Sequence, residues 1–208
     1  MGRDSSRAGF DLLVVENFLN HGRCAELVAE MQRSPNAAAL TYGQTEAGAI
    51  NEQVRKVARV QPSPESVAQL STRLEDLQVS IEEHFGVKLS SLEEPQFLCY
   101  REGDFFVAHQ DGNTGLVNLA SDRLRRISIS VFLNPQSEVP VAGAYGGGLL
   151  VFSDWRTGRR FGFAGETGTL VAFRSETTHE VTPVTRGERY SVVGWFRSVE
   201  GDDKSADC

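Results

Sequence analysis

The chain has 208 residues and a formal net charge of −7, from 21 Lys+Arg against 28 Asp+Glu. Hydrophobic residues make up 40% and charged residues 24%, a globular balance that excludes a disordered or fibrous chain. The acidic excess speaks against a nucleic-acid partner, and no apolar run approaches the roughly 18 residues of a membrane span.

The length predicts a single domain over 1–208, able to bury a core without disulfide staples. Residues 1–9 and 199–208 are polar and read as frayed, disordered ends. Residues 10–15 read as a strand. Asn20 is placed to cap a helix with Cys24, Leu27, Val28 and Met31 on its apolar face. Residues 34–56 lack periodicity and read as a long loop, a candidate lid. A strand at 57–60 follows. Ser63 and Pro64 then open one long helix with Val67, Leu70, Leu74, Leu77, Ile81 and Phe85 at 3–4 spacing, closed by Gly86. Residues 10–94 thus form an N-terminal helical support with a lid loop.

From Pro95 the pattern becomes β. Strands are expected at 96–100, 105–109, 126–133, 148–152, 160–163, 169–173, 179–181 and 189–196, separated by turn residues. Helices followed by many short strands imply an α+β chain. The expected fold is a double-stranded β-helix (jelly roll) over 95–198, with the N-terminal helices packed on one sheet.

Three widely spaced cysteines (Cys24, Cys99, Cys208) suit reduced thiols and a cytoplasmic setting, and no basic-then-apolar leader suggests secretion. Only four histidines are present: His21, His84, His109 and His179. His84 falls in a last helical turn and His21 at a helix start, where each has an ordinary structural reason. His109-Gln110-Asp111 ends a strand, so the imidazole and the carboxylate share a face. His179 begins a later strand that a jelly roll can bring alongside. Two imidazoles and one carboxylate form a facial set that leaves positions open on Fe(II). His-x-Asp alone is a weak signal, and a half-buried strand histidine would explain it as well.

The surrounding residues are more specific. Tyr100 to Asp111, Gly147-Gly148-Leu149-Leu150-Val151-Phe152, Gly168 to Phe173, His179 to Val184, and Gly187 to Ser191 with Trp195 occur in one order. Together they resemble the 2-oxoglutarate- and Fe(II)-dependent oxygenase superfamily, in its prolyl-4-hydroxylase-like branch. The resemblance implies His109, Asp111 and His179 as catalytic metal ligands. It implies Arg189, Ser191, Tyr100 and Trp195 around 2-oxoglutarate. Cofactors would be Fe(II), 2-oxoglutarate and O2, with ascorbate as a reductant. The reaction would hydroxylate a prolyl or other amino-acid side chain in a peptide or protein, releasing succinate and CO2. A free amino acid or natural-product intermediate is the alternative substrate. Asp111 favours hydroxylation over halogenation, since related halogenases lack that carboxylate.

One departure stands out: relatives can carry a tyrosine where this chain has Phe132, before Leu133-Asn134. One hydrogen bond to the cosubstrate would then be missing, or be supplied by Ser130. Two other readings use the same ligands. A zinc hydrolase would need no deep carboxylate clamp such as Arg189-x-Ser191, and a cupin-like sensor would form no succinate. Loops 37–53, 112–125 and 135–146 are expected to set specificity, the last of them mobile. Arg55, Arg59, Arg125 and Arg126 could meet an anion, though solvated charge is the commoner role. No nucleic-acid or membrane partner is expected, and the oligomeric state is left open.

Overall fold

The computed structural model describes residues 6–7, 9–39, 51–114 and 120–199. About half of the expected lid (40–50), part of the expected specificity loop (115–119) and the expected tail from 200 on lie outside the described residues.

The N-terminal part follows local rules, with two corrections. Strands β1 (Ser6–Arg7) and β2 (Phe10–Val15) pair as a hairpin with Arg7 opposite Phe10. Residues 6–7 are therefore paired rather than frayed. Helix α1 (His21–Arg33) is capped by Asn20, whose Oδ1 accepts from the Arg23 N–H at 2.8 Å. Its buried stripe is Cys24, Leu27 and Met31. Strands β3 (Asn36–Ala38), β4 (Arg55–Lys56) and β5 (Ala58–Val60) follow. The stretch read as pure loop thus contains β3, antiparallel to β5. Asn-Ala-Ala carries little strand propensity, so pairing with a neighbour, not local preference, makes it a strand.

The second correction concerns the long helix. Ser63 Oγ accepts from the Ser66 N–H at 3.3 Å and Pro64 occupies the first turn, as expected. The helix then divides into α2 (Pro64–Glu75) and α3 (Gln78–Phe85). At the break the Leu77 N–H bonds the Leu74 carbonyl, a tightened turn. Leu70, Leu74, Ile81 and Phe85 are all buried, so the apolar stripe runs through the break and periodicity cannot detect it. Gly86 ends α3 at φ 63°, a left-handed cap that favours glycine. His84 in that last turn binds Asp11 Oδ1 at 3.1 Å, tying α3 to β2.

The remaining elements are β6 (Leu89–Leu92), β7 (Gln96–Tyr100), β8 (Phe105–His109), α4 (Ala120–Arg123) and β9 (Arg125–Phe132). After them come β10 (Gly146–Gly147), β11 (Leu150–Asp154), β12 (Arg159–Phe163), β13 (Leu170–Arg174), β14 (Thr178–Val181), β15 (Val184–Arg186) and β16 (Arg189–Ser198). The larger sheet has the order β1-β2-β13-β9-β16-β7-β5-β3, with β6 also paired to β16. The smaller has the order β12-β11-β14-β8-β4, and β10 pairs with β15. Every paired strand is antiparallel. The α+β jelly-roll expectation is met, helices on one sheet included.

Alternation along the central strands divides the core in two. Ile127, Ile129 and Val131 of β9 join Tyr190, Val192 and Phe196 of β16 against helix residues Leu27, Leu74 and Ile81. The opposite faces carry Ser128, Ser130 and Phe132 on β9, and Arg189, Ser191, Val193 and Trp195 on β16. Those faces look toward the smaller sheet, where Phe132 packs with Leu150, Phe152, Phe163 and Val181. A sheet face that alternates into serine and arginine lines a cavity rather than a dry core.

The segment 135–146 is not loose. Tyr145 N–H donates to Pro135 O at 3.1 Å, and Ser137 N–H to Tyr145 O at 2.8 Å. Asn134 Nδ2 reaches Gly143 O and Glu188 O, and the Arg186 guanidinium reaches Ser137 O and Val139 O. Tyr145 is buried, while Val139 and Val141 are exposed. The expectation of a mobile loop rested on small residues, but bonds within 134–145 close the segment on itself and Arg186, distant in sequence, ties it to the next strand pair.

Candidate active site

Pairing of β8 with β14 sets His109 directly opposite His179. Asp111 lies two residues beyond His109, and its backbone N–H is fixed to Ser175 O at 2.9 Å. One ligand atom from each of these three residues lies within 4.8 Å of the others. His109 Nε2 is 3.3 Å from Asp111 Oδ1, and His179 Nε2 is 3.5 Å from Asp111 Oδ2. The three side chains expected from the sequence are therefore brought together.

The surrounding hydrogen bonds orient them. His109 Nδ1 is 2.8 Å from Val107 O, and His179 Nδ1 is 2.9 Å from Thr177 O. A carbonyl can only accept, so Nδ1 carries a proton in both rings and Nε2 is the nitrogen turned to the cluster. Burial and the neighbouring His109 push the His179 pKa down to about 4, so this imidazole is neutral at pH 7. Neutral is the form that binds a metal. Burial alone would raise Asp111. The His179 and His109 imidazoles and hydrogen bonds outweigh it and hold the carboxyl well below the usual range.

Ser128 Oγ donates to Asp111 Oδ2 at 2.7 Å and lies 2.9 Å from the fully buried Ser175 Oγ. Ser128→Ala is expected to lower metal affinity by about ten- to hundredfold with the fold intact, as for other partners that orient a ligand. Anaerobic titration with Fe(II) or Mn(II) measures it.

The cluster opens into a cavity of about 480 Å³ between the sheets, within the range of ligand sites. Its far end is built by Arg189. This guanidinium is 2% exposed, donates from one terminal nitrogen to Ser191 Oγ at 2.7 Å, and has no carboxylate partner among the described residues. Its Nε is buried without a hydrogen bond. The rings of Tyr100 and Phe132 each lie 5.2 Å from its Cζ. Gly148 lets the stem through: at φ +58, an added Cβ would sit 3.1 Å from Arg189 Cδ. A buried cation without an acid is costly unless an anion joins it.

Trp195 lies on the same face of β16, opposite Ser128 in register, and so belongs to the Asp111 end of the cavity. Its Nε1 is buried and makes no well-formed hydrogen bond, yet it helps to keep Asp111 ionised. Arg125 stacks 4.0 Å over the Trp195 ring and is held by Glu93 at 3.0 and 2.7 Å. Arg125 is thus a built part of the wall. Arg55 is another: it is half-buried, lies 4.8 Å over Phe106 and lines the cavity. Phe106 in turn stacks on His109 at 3.6 Å between ring centroids. Both arginines depart from the expectation of solvated charge. Arg59 does meet Glu94 at the surface. Tyr145, buried against Arg189, was not singled out from the sequence; an aromatic residue before three consecutive glycines was its only signal.

The donor set fits a metal ion of the expected kind. Two imidazoles and a carboxylate, without a thiolate, suit Fe(II) with three positions left over. Arg189 suits the distal carboxylate of a dicarboxylic acid whose other end reaches the metal. The family model of the 2OG-Fe(II) oxygenase superfamily matches residues 95–197. The chain belongs to this superfamily. Its cofactors are Fe(II) and 2-oxoglutarate.

Among relatives, a PKHD-type hydroxylase of Paracoccus denitrificans is 36% identical over 110 residues, covering 52% of this chain and 45% of that protein. One from Stutzerimonas stutzeri is 34% identical over the same shares. The chain therefore spans just under half the length of these curated relatives. Among solved structures, a Pseudomonas putida prolyl-4-hydroxylase is 26% identical, with TM-score 0.68 over 90% of this chain and 92% of that one. A prolyl hydroxylase from Trichoplax adhaerens, solved with a hypoxia inducible factor peptide fragment, has TM-score 0.67 at 18% identity over 94% and 87%, which shows a shared fold. No described helix is long and apolar enough to cross a membrane.

Proposed function

We propose that the chain is a hydroxylase that couples oxidation of 2-oxoglutarate to insertion of oxygen into an unactivated C–H bond of a prolyl or other amino-acid side chain in a peptide or protein. The observation that carries this is the pairing of the His109–Asp111–His179 cluster with a buried, acid-free Arg189 in one cavity. A zinc hydrolase has no use for the second half of that arrangement.

In this reading His109, Asp111 and His179 hold iron on one face. Arg189, Ser191 and Tyr100 hold the distal carboxylate of 2-oxoglutarate, the guanidinium as cation and the hydroxyls as donors. Trp195 and Ser130 line the space between the two ends. When bound, iron and 2-oxoglutarate supply O2 activation, with one oxygen atom leaving in succinate beside CO2 and the other entering the substrate as hydroxyl. The protein keeps His179 neutral and Asp111 ionised and orients both, and Val54, Arg55 and Phe106 line the same cavity. The prolyl assignment draws support from the names of the relatives.

The test supplies the full chain with Fe(II), ascorbate, O2 and 2-oxoglutarate, plus a panel of prolyl peptides, other peptides and free amino acids. Succinate formation matched by gain of one oxygen atom on a peptide supports the proposal. Turnover on free amino acids alone replaces the substrate class. No succinate with any substrate, from metal-loaded protein, leaves a binding module instead.

A further inference from the structure

Arg189 is gripped from two sides. On its own strand, Ser191 Oγ accepts from the guanidinium at 2.7 Å. From the pinned segment before β10, the Tyr145 phenol lies beside the same guanidinium, close enough to feel its charge. The Tyr145 ring and the Arg189 stem both close on Gly148, where an added Cβ would be 3.1 Å from Tyr145 Cε2 and from Arg189 Cδ alike. Gly187, in the turn before β16, comes less close, an added Cβ there lying 3.6 Å from Tyr145 Cα. Tyr145 and Arg189 are both almost fully buried there.

The chemistry of a hydroxyl beside an arginine is directional. Guanidinium has only donors, so Ser191 accepts from it, and a hydroxyl placed beside it as Tyr145's is can relate to it only as an acceptor. Each then retains its own O–H proton to give. An anion beside Arg189 would meet a cation flanked by two O–H donors. Phe132, at 5.2 Å from the same guanidinium, offers a ring without a donor. Tyr145 supplies a phenol from the loop to a site that its neighbouring strand leaves bare.

We propose that Tyr145 is a binding residue for 2-oxoglutarate, its hydroxyl donating to the distal carboxylate beside Arg189 and Ser191. This rests on the hydroxylase reading above and extends it to a residue outside the strands. It also explains why the segment 135–146 is fastened, since its hydrogen bonds to Asn134 and Arg186 hold Tyr145 in place.

The test compares the full-length wild type with Tyr145→Phe, both loaded with Mn(II), by calorimetric titration with two acids. One is 2-oxoglutarate. The other is 2-oxobutanoate, which keeps the chelating end and lacks the distal carboxylate. Loss of one hydrogen bond to a charged group weakens 2-oxoglutarate by about tenfold or more, while 2-oxobutanoate is unchanged. Equal 2-oxoglutarate affinity in both proteins overturns the inference alone. Equal weakening of both acids also overturns it, since Tyr145 would then merely support the fold. A wild type that takes up Mn(II) but no 2-oxoglutarate sinks the hydroxylase reading and this inference with it.

Discussion

Arg189→Leu is expected to abolish useful 2-oxoglutarate binding and, unusually for a buried residue, to leave the ligand-free protein as stable as before or more so. The two effects have one cause. Arg189 is almost fully buried with no carboxylate partner among the described residues and with an unbonded Nε. Replacing a poorly compensated buried charge by an apolar side chain is neutral to stabilising. Truncating one side of a buried, hydrogen-bonded charge pair costs about 2–5 kcal/mol, or roughly thirtyfold to several thousandfold in affinity. Ligand linkage makes both visible in one melting experiment. At a hundred times its Kd, 2-oxoglutarate adds about 2.7 kcal/mol to the metal-loaded wild type. At that concentration a variant thirtyfold weaker gains about 0.9 kcal/mol, and one a thousandfold weaker gains almost nothing. A variant that is strongly destabilised without ligand, yet still stabilised by 2-oxoglutarate, would show Arg189 to be a structural residue.

His179→Ala acts at the other end of the cavity. Removing one of three ligands is expected to weaken Fe(II) by more than about a hundredfold, beyond the range seen when a ligand's partner is removed. Succinate formation falls with it. His179 packs edge-on against Phe173 at 4.7 Å between centroids, so the substitution also leaves a small cavity. Circular dichroism checks that the fold survives, and calorimetric titration with Fe(II) under anaerobic conditions reads the affinity. Unchanged Fe(II) affinity in a folded variant would remove His179 from the metal site.

The chemistry of this chain was more legible in its sequence than its geometry. His109 and Asp111 share a face because a strand alternates, and the serine-bearing face of β9 turns inward for the same reason. Strand positions after Pro95 follow from short apolar runs between turn residues. Where contacts come from distant segments, local reading fails. The α2–α3 break hides because the stripe of Leu74 and Ile81 continues across it. Strand β3 exists through its pairing with β5. The segment 135–146 looks loose by composition, yet Arg186 and Asn134 fasten it.

Arg55 and Arg125 show the same limit for charge. In sequence they are two arginines among many, whereas in the fold they stack on Phe106 and Trp195 at the cavity wall. The isolated His-x-Asp motif carried little weight on its own. Its opposition to His179 across β8 and β14 is a property of the sheet register.

The most direct measurement is the absorption spectrum of the full chain under anaerobic conditions with Fe(II) and 2-oxoglutarate. Chelation of iron by the 2-oxo acid on the His109–Asp111–His179 face gives a weak visible charge-transfer band. That band requires protein, metal and 2-oxoglutarate together, and disappears in His179→Ala. Wild-type protein that binds Fe(II) and 2-oxoglutarate without producing the band, or a band unchanged in His179→Ala, would contradict a shared iron and cosubstrate site.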